Sequence, residues 1–201
     1  PPPSPKVIPL SRKGWSEEAI VEGLLAGETA AGGALYDRVQ ARVNQIVWRV
    51  LGADPDHDDV VNQVFVTALG SISKLRKASS LDSWMVGITL NTIRYELRKR
   101  RLRRIFSPFE RDVIDEGPEG SPERQLVSKR FYAAMDRLRP DDRIALTLRF
   151  VEGLSLSEVA EMTGCSLATI KRRLNRARKA LERQARQDRV LATWIGGDHG
   201  S

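Results

Sequence analysis

Asn91, Arg94, Arg98 and Arg101 recur at spacings of three, four and three, which stacks them on one face of a helix. Guanidinium groups in such a row grip a polyanion, because each can donate two parallel hydrogen bonds to a phosphate. A second basic run, Lys171, Arg172, Arg173 and Arg176, also carries Asn175. Arginine pairs bidentately with guanine and asparagine with adenine, so this set can read base edges as well as hold a backbone. Between the two runs the charge reverses. Residues 105–125 hold six acids against two bases, whereas residues 91–104 and 166–183 each hold seven bases against one acid. The net charge of +7 over 201 residues conceals this order of basic, acidic and basic blocks.

Catalytic chemistry has little to stand on. His57 and His199 are the only histidines and Cys165 the only cysteine, and no nucleophile or ligand set accompanies them. The aspartates beside His57 are what a helix start attracts, since carboxylates complement its positive end. His57 therefore reads as an exposed, non-catalytic residue, and no enzyme activity, cofactor or metal is expected. A single cysteine excludes an internal disulfide, and Cys165 reads as a small packing residue in a turn. The longest uncharged stretch, residues 60–73, has 14 residues, short of the roughly 17–25 that span a bilayer. The proline-rich first ten residues lack the apolar core of a signal peptide. A cytoplasmic protein is the expectation.

The elements that must position the basic runs are helices. Ser16 with Glu17 and Glu18 opens the first. Leu35, Val39, Val43, Ile46, Val47 and Val50 stripe a second, which Gly52 stops. Asp54-Pro55 is expected to start a third, its buried stripe being Val61, Val64, Phe65, Ala68 and Leu69. A loop with Lys74, Arg76, Lys77, Ser79 and Ser80 leads to a helix over residues 81–104, apolar early and basic late. Trp84 there is read as core in preference to a stacking platform. Residues 105–121, rich in proline, glycine and acids, form a flexible linker, and residues 1–15 a flexible arm. Ser121-Pro122 restarts helix with the stripe Leu126, Val127, Phe131, Ala134 and Leu138, and another helix is expected over residues 141–152. Ser155 and Glu158 have capping-box spacing, Gly164 makes a turn, and Leu167, Ile170, Leu174, Ala177 and Leu181 define the last helix. A short helix, a glycine turn and a basic helix form the helix-turn-helix pattern, with Ala168, Thr169, Lys171, Arg172, Arg173, Asn175 and Arg176 facing outward. Residues 187–201, including Trp194 and Ile195, read as a fraying tail. The fold class is all-α: two small helical domains held apart by the linker.

Leu35-Tyr-Asp-Arg, Asp56-His-Asp-Asp-Val-Val-Asn-Gln-Val-Phe and Ser80-Leu-Asp-Ser-Trp-Met-Val-Gly-Ile-Thr-Leu-Asn91 resemble the second conserved domain of the extracytoplasmic-function (ECF, group IV) RNA polymerase sigma factors. Arg137-Leu-Arg-Pro-Asp-Asp-Arg, Leu148-Arg-Phe, Glu152-Gly-Leu-Ser and Thr169-Ile-Lys-Arg-Arg-Leu-Asn-Arg-Ala-Arg-Lys-Ala-Leu resemble their fourth. The resemblance covers roughly residues 20–186, with domain 2 over 16–104 and domain 4 over 122–186. It implies a promoter-specificity subunit without catalysis of its own. Asp56, Asp58, Asp59, Asn62, Gln63, Val64 and Phe65 would bind the polymerase β′ coiled coil, with Asn62-Gln63 standing where a Gln-Glu pair is common. Lys74, Arg76, Lys77, Ser79, Ser80, Trp84, Asn91, Arg94, Arg98 and Arg101 would take the melted −10 element and a flipped base. Ser166, Thr169, Lys171, Arg172, Arg173, Asn175 and Arg176 would read duplex −35 DNA. The acidic linker would lie in a positively charged channel built for RNA. Further implied partners are the β subunit and an anti-sigma protein. The alternative reading is a conventional helix-turn-helix regulator whose N-terminal bundle senses or dimerises.

Overall fold

A computed structural model describes residues 14–106 and 122–188, with no strand among the described residues. The expected arm before residue 14, the linker over 107–121 and the tail over 189–201, with Trp194 and Ile195, lie outside the described residues.

Helix α1 (Glu17–Leu25) begins where Ser16 Oγ accepts the Ala19 N–H at 3.1 Å. Helix α2 (Thr29–Leu51) carries the expected apolar stripe inward and stops at Gly52. Gly52 has φ +82°, and the Tyr132 ring lies so close that a Cβ there would sit 2.8 Å from it. Helix α3 (His57–Ser71) starts later than the Asp54-Pro55 signal suggested. The Asp54 carboxylate instead accepts the Asp56 N–H at 2.9 Å and is clamped by Arg100, which consumes the turn before the helix proper. Two 3₁₀ turns (Ile72–Lys74 and Ala78–Ser80) lead into α4 (Leu81–Phe106). Helix α5 (Pro122–Met135) precedes α6 (Pro140–Leu146). The helix expected over residues 141–152 widens at Thr147–Val151 into a π-type turn, where Glu152 N–H reaches Thr147 O. Helices α7 (Leu156–Thr163) and α8 (Leu167–Ala185) are the last elements among the described residues.

The apolar stripes set the packing, since burying one leucine or isoleucine side chain is worth about 1.5–3 kcal/mol. The largest cluster, with Leu35, Ile46, Val64, Met85 and Ile93 at its centre, joins α1 to α4. The same cluster continues into Ile144, Leu148, Val159 and Ile170 of the C-terminal half. The two halves are therefore not held apart: α4 packs on α6 and α7, because its apolar face extends from Leu81 to Leu97. A smaller cluster of Met135, Leu138, Ala177 and Leu181 fastens α5 and α6 to α8. Three stripe residues, Leu69, Leu126 and Leu167, are exposed against expectation, and Phe65, Phe131 and Leu174 are half-buried. The side chain of Val127 lies outside what is described.

Candidate nucleic-acid interface

The C-terminal half builds a helix-turn-helix from local rules. Ser155 Oγ accepts the Glu158 N–H at 3.2 Å while the Glu158 carboxylate accepts the Ser155 N–H at 2.7 Å, the reciprocal cap that the spacing predicts. These hydrogen bonds hold the exposed Glu158 carboxyl below its ordinary pKa. Gly164 takes the left-handed conformation (φ +63°), so α7 ends in a sharp turn. Ser166 Oγ then caps α8 by accepting the Thr169 N–H at 3.2 Å. Ile170 and Ala177 are buried, which turns Ser166, Lys171, Arg172 and Asn175 to solvent, with Thr169 half-buried.

Arg173 and Arg176 do not share that free outward face. Arg176 clasps Asp142 through Nε at 2.6 Å and Nη2 at 2.5 Å. Arg173 Nη1 donates to Cys165 Sγ at 3.2 Å and its Nη2 lies 3.5 Å from Asp141. The cause is tertiary: α6 lies along α8, and its first-turn acids reach that side of the recognition helix. The hydrogen bond from Arg176 to Asp142 raises the Arg176 pKa above its ordinary value, and the arginine is held as a cation.

In the N-terminal half, Lys74, Arg76, Lys77 and Ser80 line an open hollow of about 670 Å³ with Trp84, Asn91 and Arg94. Trp84 is half-buried, packing on the core while also walling the hollow. Ser79, Arg98 and Arg101 are exposed but lie outside it. The Asn91 side-chain carbonyl accepts a hydrogen bond from Arg94, whose Nε donates to Asp141 at 2.7 Å. Burial pushes the Asp141 carboxyl upward. The Arg94 hydrogen bond and the charges of Arg173, Arg94 and Arg98 outweigh it and hold the carboxyl below its ordinary value. The far wall of the hollow is residues 161–164, the end of α7. No local pattern announces that wall, because residues about 80 apart in sequence form it.

Helix α3 presents a third surface. Asp58, Asp59, Asn62 and Gln63 are exposed, while Asp56 is half-buried and lies 3.5 Å from Arg100. Val64, read from the sequence as a partner contact, is 0% exposed and packs in the core, so it can only support that surface. Phe65 rests against Tyr36 with ring centroids 4.9 Å apart. Tyr36, Val66 (62% exposed) and Leu69 add an apolar border that the sequence reading did not pick out. The signal available was an apolar residue, Val66, falling off the buried stripe.

His57 is not exposed as expected. Its Nε2 lies 3.1 Å from Asn44 Oδ1, and its ring meets Trp48 edge-on at 5.8 Å. Among the described residues there is no group of three or more His, Cys, Asp or Glu able to hold a metal ion, and no helix is long and apolar enough to cross a membrane.

Residues 35–103 match the family profile of Sigma-70 region 2, and residues 128–181 that of Sigma-70, region 4. The ECF RNA polymerase sigma factor EcfG of Rhodopseudomonas palustris is 35% identical over 134 residues, covering 62% of this chain and 68% of that protein. The chain belongs to the ECF RNA polymerase sigma factors. The ECF RNA polymerase sigma-E factor of Haemophilus influenzae is 29% identical over 182 residues, covering 83% of this chain and 94% of that one. The fold is shared with CnrH, solved in complex with the cytosolic domain of CnrY, at a TM-score of 0.55 and 24% identity, over 86% of this chain and 98% of that one. This ECF factor is thus an alternative sigma factor, a transcription initiation subunit concerned with promoter recognition.

Proposed function

We propose that the two basic surfaces divide promoter recognition between them. Domain 4, residues 122–186, sets α8 in the major groove of the −35 element, with Lys171, Arg172 and Asn175 foremost. Domain 2, residues 16–104, takes the melted −10 strand along α4. A displaced base enters the hollow beside Trp84 and Asn91, with Lys74, Arg76 and Lys77 holding its backbone. The exposed acidic and amide face of α3, bordered by Tyr36 and Val66, docks on the β′ coiled coil of core polymerase, and the β subunit is a further partner. The chain supplies binding and no catalysis, and it works in the cytoplasm. An anti-sigma protein restrains it, as suggested by the Bartonella quintana RpoE, solved in complex with the anti-sigma factor NepR, 23% identical with a TM-score of 0.52.

The observation that carries this reading is the conjunction, in one chain, of a doubly capped helix-turn-helix and a cationic hollow opening on a second basic helix. Duplex readers do not need the hollow, and single-strand binders do not need the groove-fitting helix. The test reconstitutes holoenzyme, selects promoter sequences from random DNA and measures run-off transcription. Transcripts should require both core and this chain. Asn91→Ala should impair opening and leave −35 binding intact. Absence of any promoter-dependent transcript overturns the proposal.

A further inference from the structure

Helix α4 carries a second aromatic side chain that the promoter contacts proposed above leave unused. Tyr95 is 69% exposed. Trp84, Asn91, Tyr95 and Arg98 follow one another at spacings of seven, four and three, which keeps them on one stripe of the helix. Tyr95 lines a second open hollow, of about 710 Å³ between α3 and α4, with Asp59 and Gln63 on one side and Asn91, Lys99 and Arg103 on the other. Asn91 also lines the hollow of Trp84, so it forms the ridge between the two. The Tyr95 backbone stands one turn, about 6 Å, beyond that ridge. A single exposed aromatic is ordinary on a protein surface; what sets Tyr95 apart is its place next to the ridge where a displaced base would turn inward. Two acids of this second hollow are engaged by arginines of α4. Glu96 accepts Arg100 at 3.0 Å and Arg103 at 3.2 Å, and Asp56 lies 3.5 Å from Arg100. The Lys99 and Arg103 side chains remain 54% and 47% exposed, so a phosphate passing the ring meets cations.

We propose that Tyr95 is a base-stacking platform for the melted strand. When one displaced base occupies the hollow beside Trp84 and Asn91, the neighbouring unpaired base stacks on the Tyr95 ring and its phosphate rests on Lys99. The proposal rests on the −10 role of α4 given above and adds a second base position to it. Stacking uses the π-face that every base possesses, so Tyr95 holds the opened strand whichever base stands there. Asp59 and Gln63, the opposite wall of the hollow, belong to the face that would dock on β′. The stacked base therefore lies beside core polymerase, and the decisive measurement is made on holoenzyme.

The test compares holoenzymes carrying the wild-type chain, Tyr95→Phe or Tyr95→Ala. The template is a selected promoter whose non-template −10 positions are replaced, one at a time, by the fluorescent base 2-aminopurine. With wild type and Tyr95→Phe, one position adjacent to the base whose signal depends on Asn91 should be quenched by stacking on the ring. Tyr95→Ala should remove that quenching and lower the open-complex equilibrium constant by about tenfold. Core affinity and −35 binding should be the same for all three. The side chain is largely exposed, so its truncation leaves the core packing intact. Quenching that survives Tyr95→Ala at every position overturns the proposal. So does a loss as large in Tyr95→Phe as in Tyr95→Ala, which would mark a hydroxyl contact, or a loss of core affinity in Tyr95→Ala, which would make the ring a protein contact. Run-off transcription separates this from the reading beneath it. Opening that needs Asn91 but is indifferent to Tyr95→Ala sinks the stacking platform alone, whereas absence of promoter-dependent transcripts from the wild-type holoenzyme sinks the underlying reading.

Discussion

Arg143 offers the sharpest stability test. Its side chain is 1% exposed, and its Nε donates to Val50 O at 2.7 Å while Nη2 donates to Leu51 O at 3.1 Å. These carbonyls belong to the last turn of α2, where backbone acceptors have no partner within the helix. A third arm pairs with Asp136. Burial pushes the Arg143 pKa down, Asp136 opposes that, and the guanidinium is a cation enclosed by acceptors from both halves. Replacing it by methionine preserves most of the volume but strips two buried carbonyls of a charged donor. Each such bond is worth about 1.5–3 kcal/mol, and removing one member of a buried pair costs about 3–5 kcal/mol. The bonds overlap energetically and Asp136 is partly exposed, so we expect Arg143→Met to lose about 3–4 kcal/mol, a large share of the 5–15 kcal/mol typical of a domain. Arg42→Ala removes an ion pair with an exposed arginine and should lose less than about 1 kcal/mol. Urea denaturation followed by circular dichroism at 222 nm reads both. A loss below about 1 kcal/mol for Arg143→Met would refute the argument that Arg143 caps α2 from across the junction.

Gly52→Ala should destabilise by about 1–3 kcal/mol in the same assay, because φ +82° strains any Cβ and the Tyr132 ring occupies its space; a neutral change would mean the ring yields freely. The Asp141 pairings should persist throughout the neutral range. Its folded pKa lies below the ordinary 3.8, so its contribution is complete above that value and fades as pH falls through the lowered one. The stability difference between wild type and Asp141→Asn should accordingly be constant above about pH 5 and shrink in stronger acid, and a difference that widens on acidification contradicts the assignment. Gln63→Glu, which adds a carboxylate to the exposed face of α3, should tighten binding to core polymerase in a competition assay; weaker binding would show that face meets no basic surface.

Much of the site was legible locally. Ser155, Glu158 and Gly164 specify the helix-turn-helix through hydrogen bonds reaching only a few residues, and the structure places each as the spacing predicts, while Ser166 adds a cap on α8 that was not read from the sequence. Helix α4 likewise runs from an apolar start to an exposed basic end. What failed were statements about which side chains are free. Val64 matched a partner-binding motif but faces the core, and Arg173 and Arg176 matched a DNA-reading face but are held by Asp141 and Asp142. His57 was read as exposed because its neighbours are acidic, yet Asn44 and Trp48, a helix away, enclose it.

The sequence by itself determined the all-α class, the helix caps, the two basic runs and the family, because periodicity, capping and motif spacing act over a few residues. Only the tertiary structure decided that the halves share one core and that Asp141, Asp142 and Glu152 hold arginines of both. Ion pairing of that kind depends on distances below 4 Å between groups 32 to 110 positions apart. Charge order along the chain carries no record of which opposite charges meet.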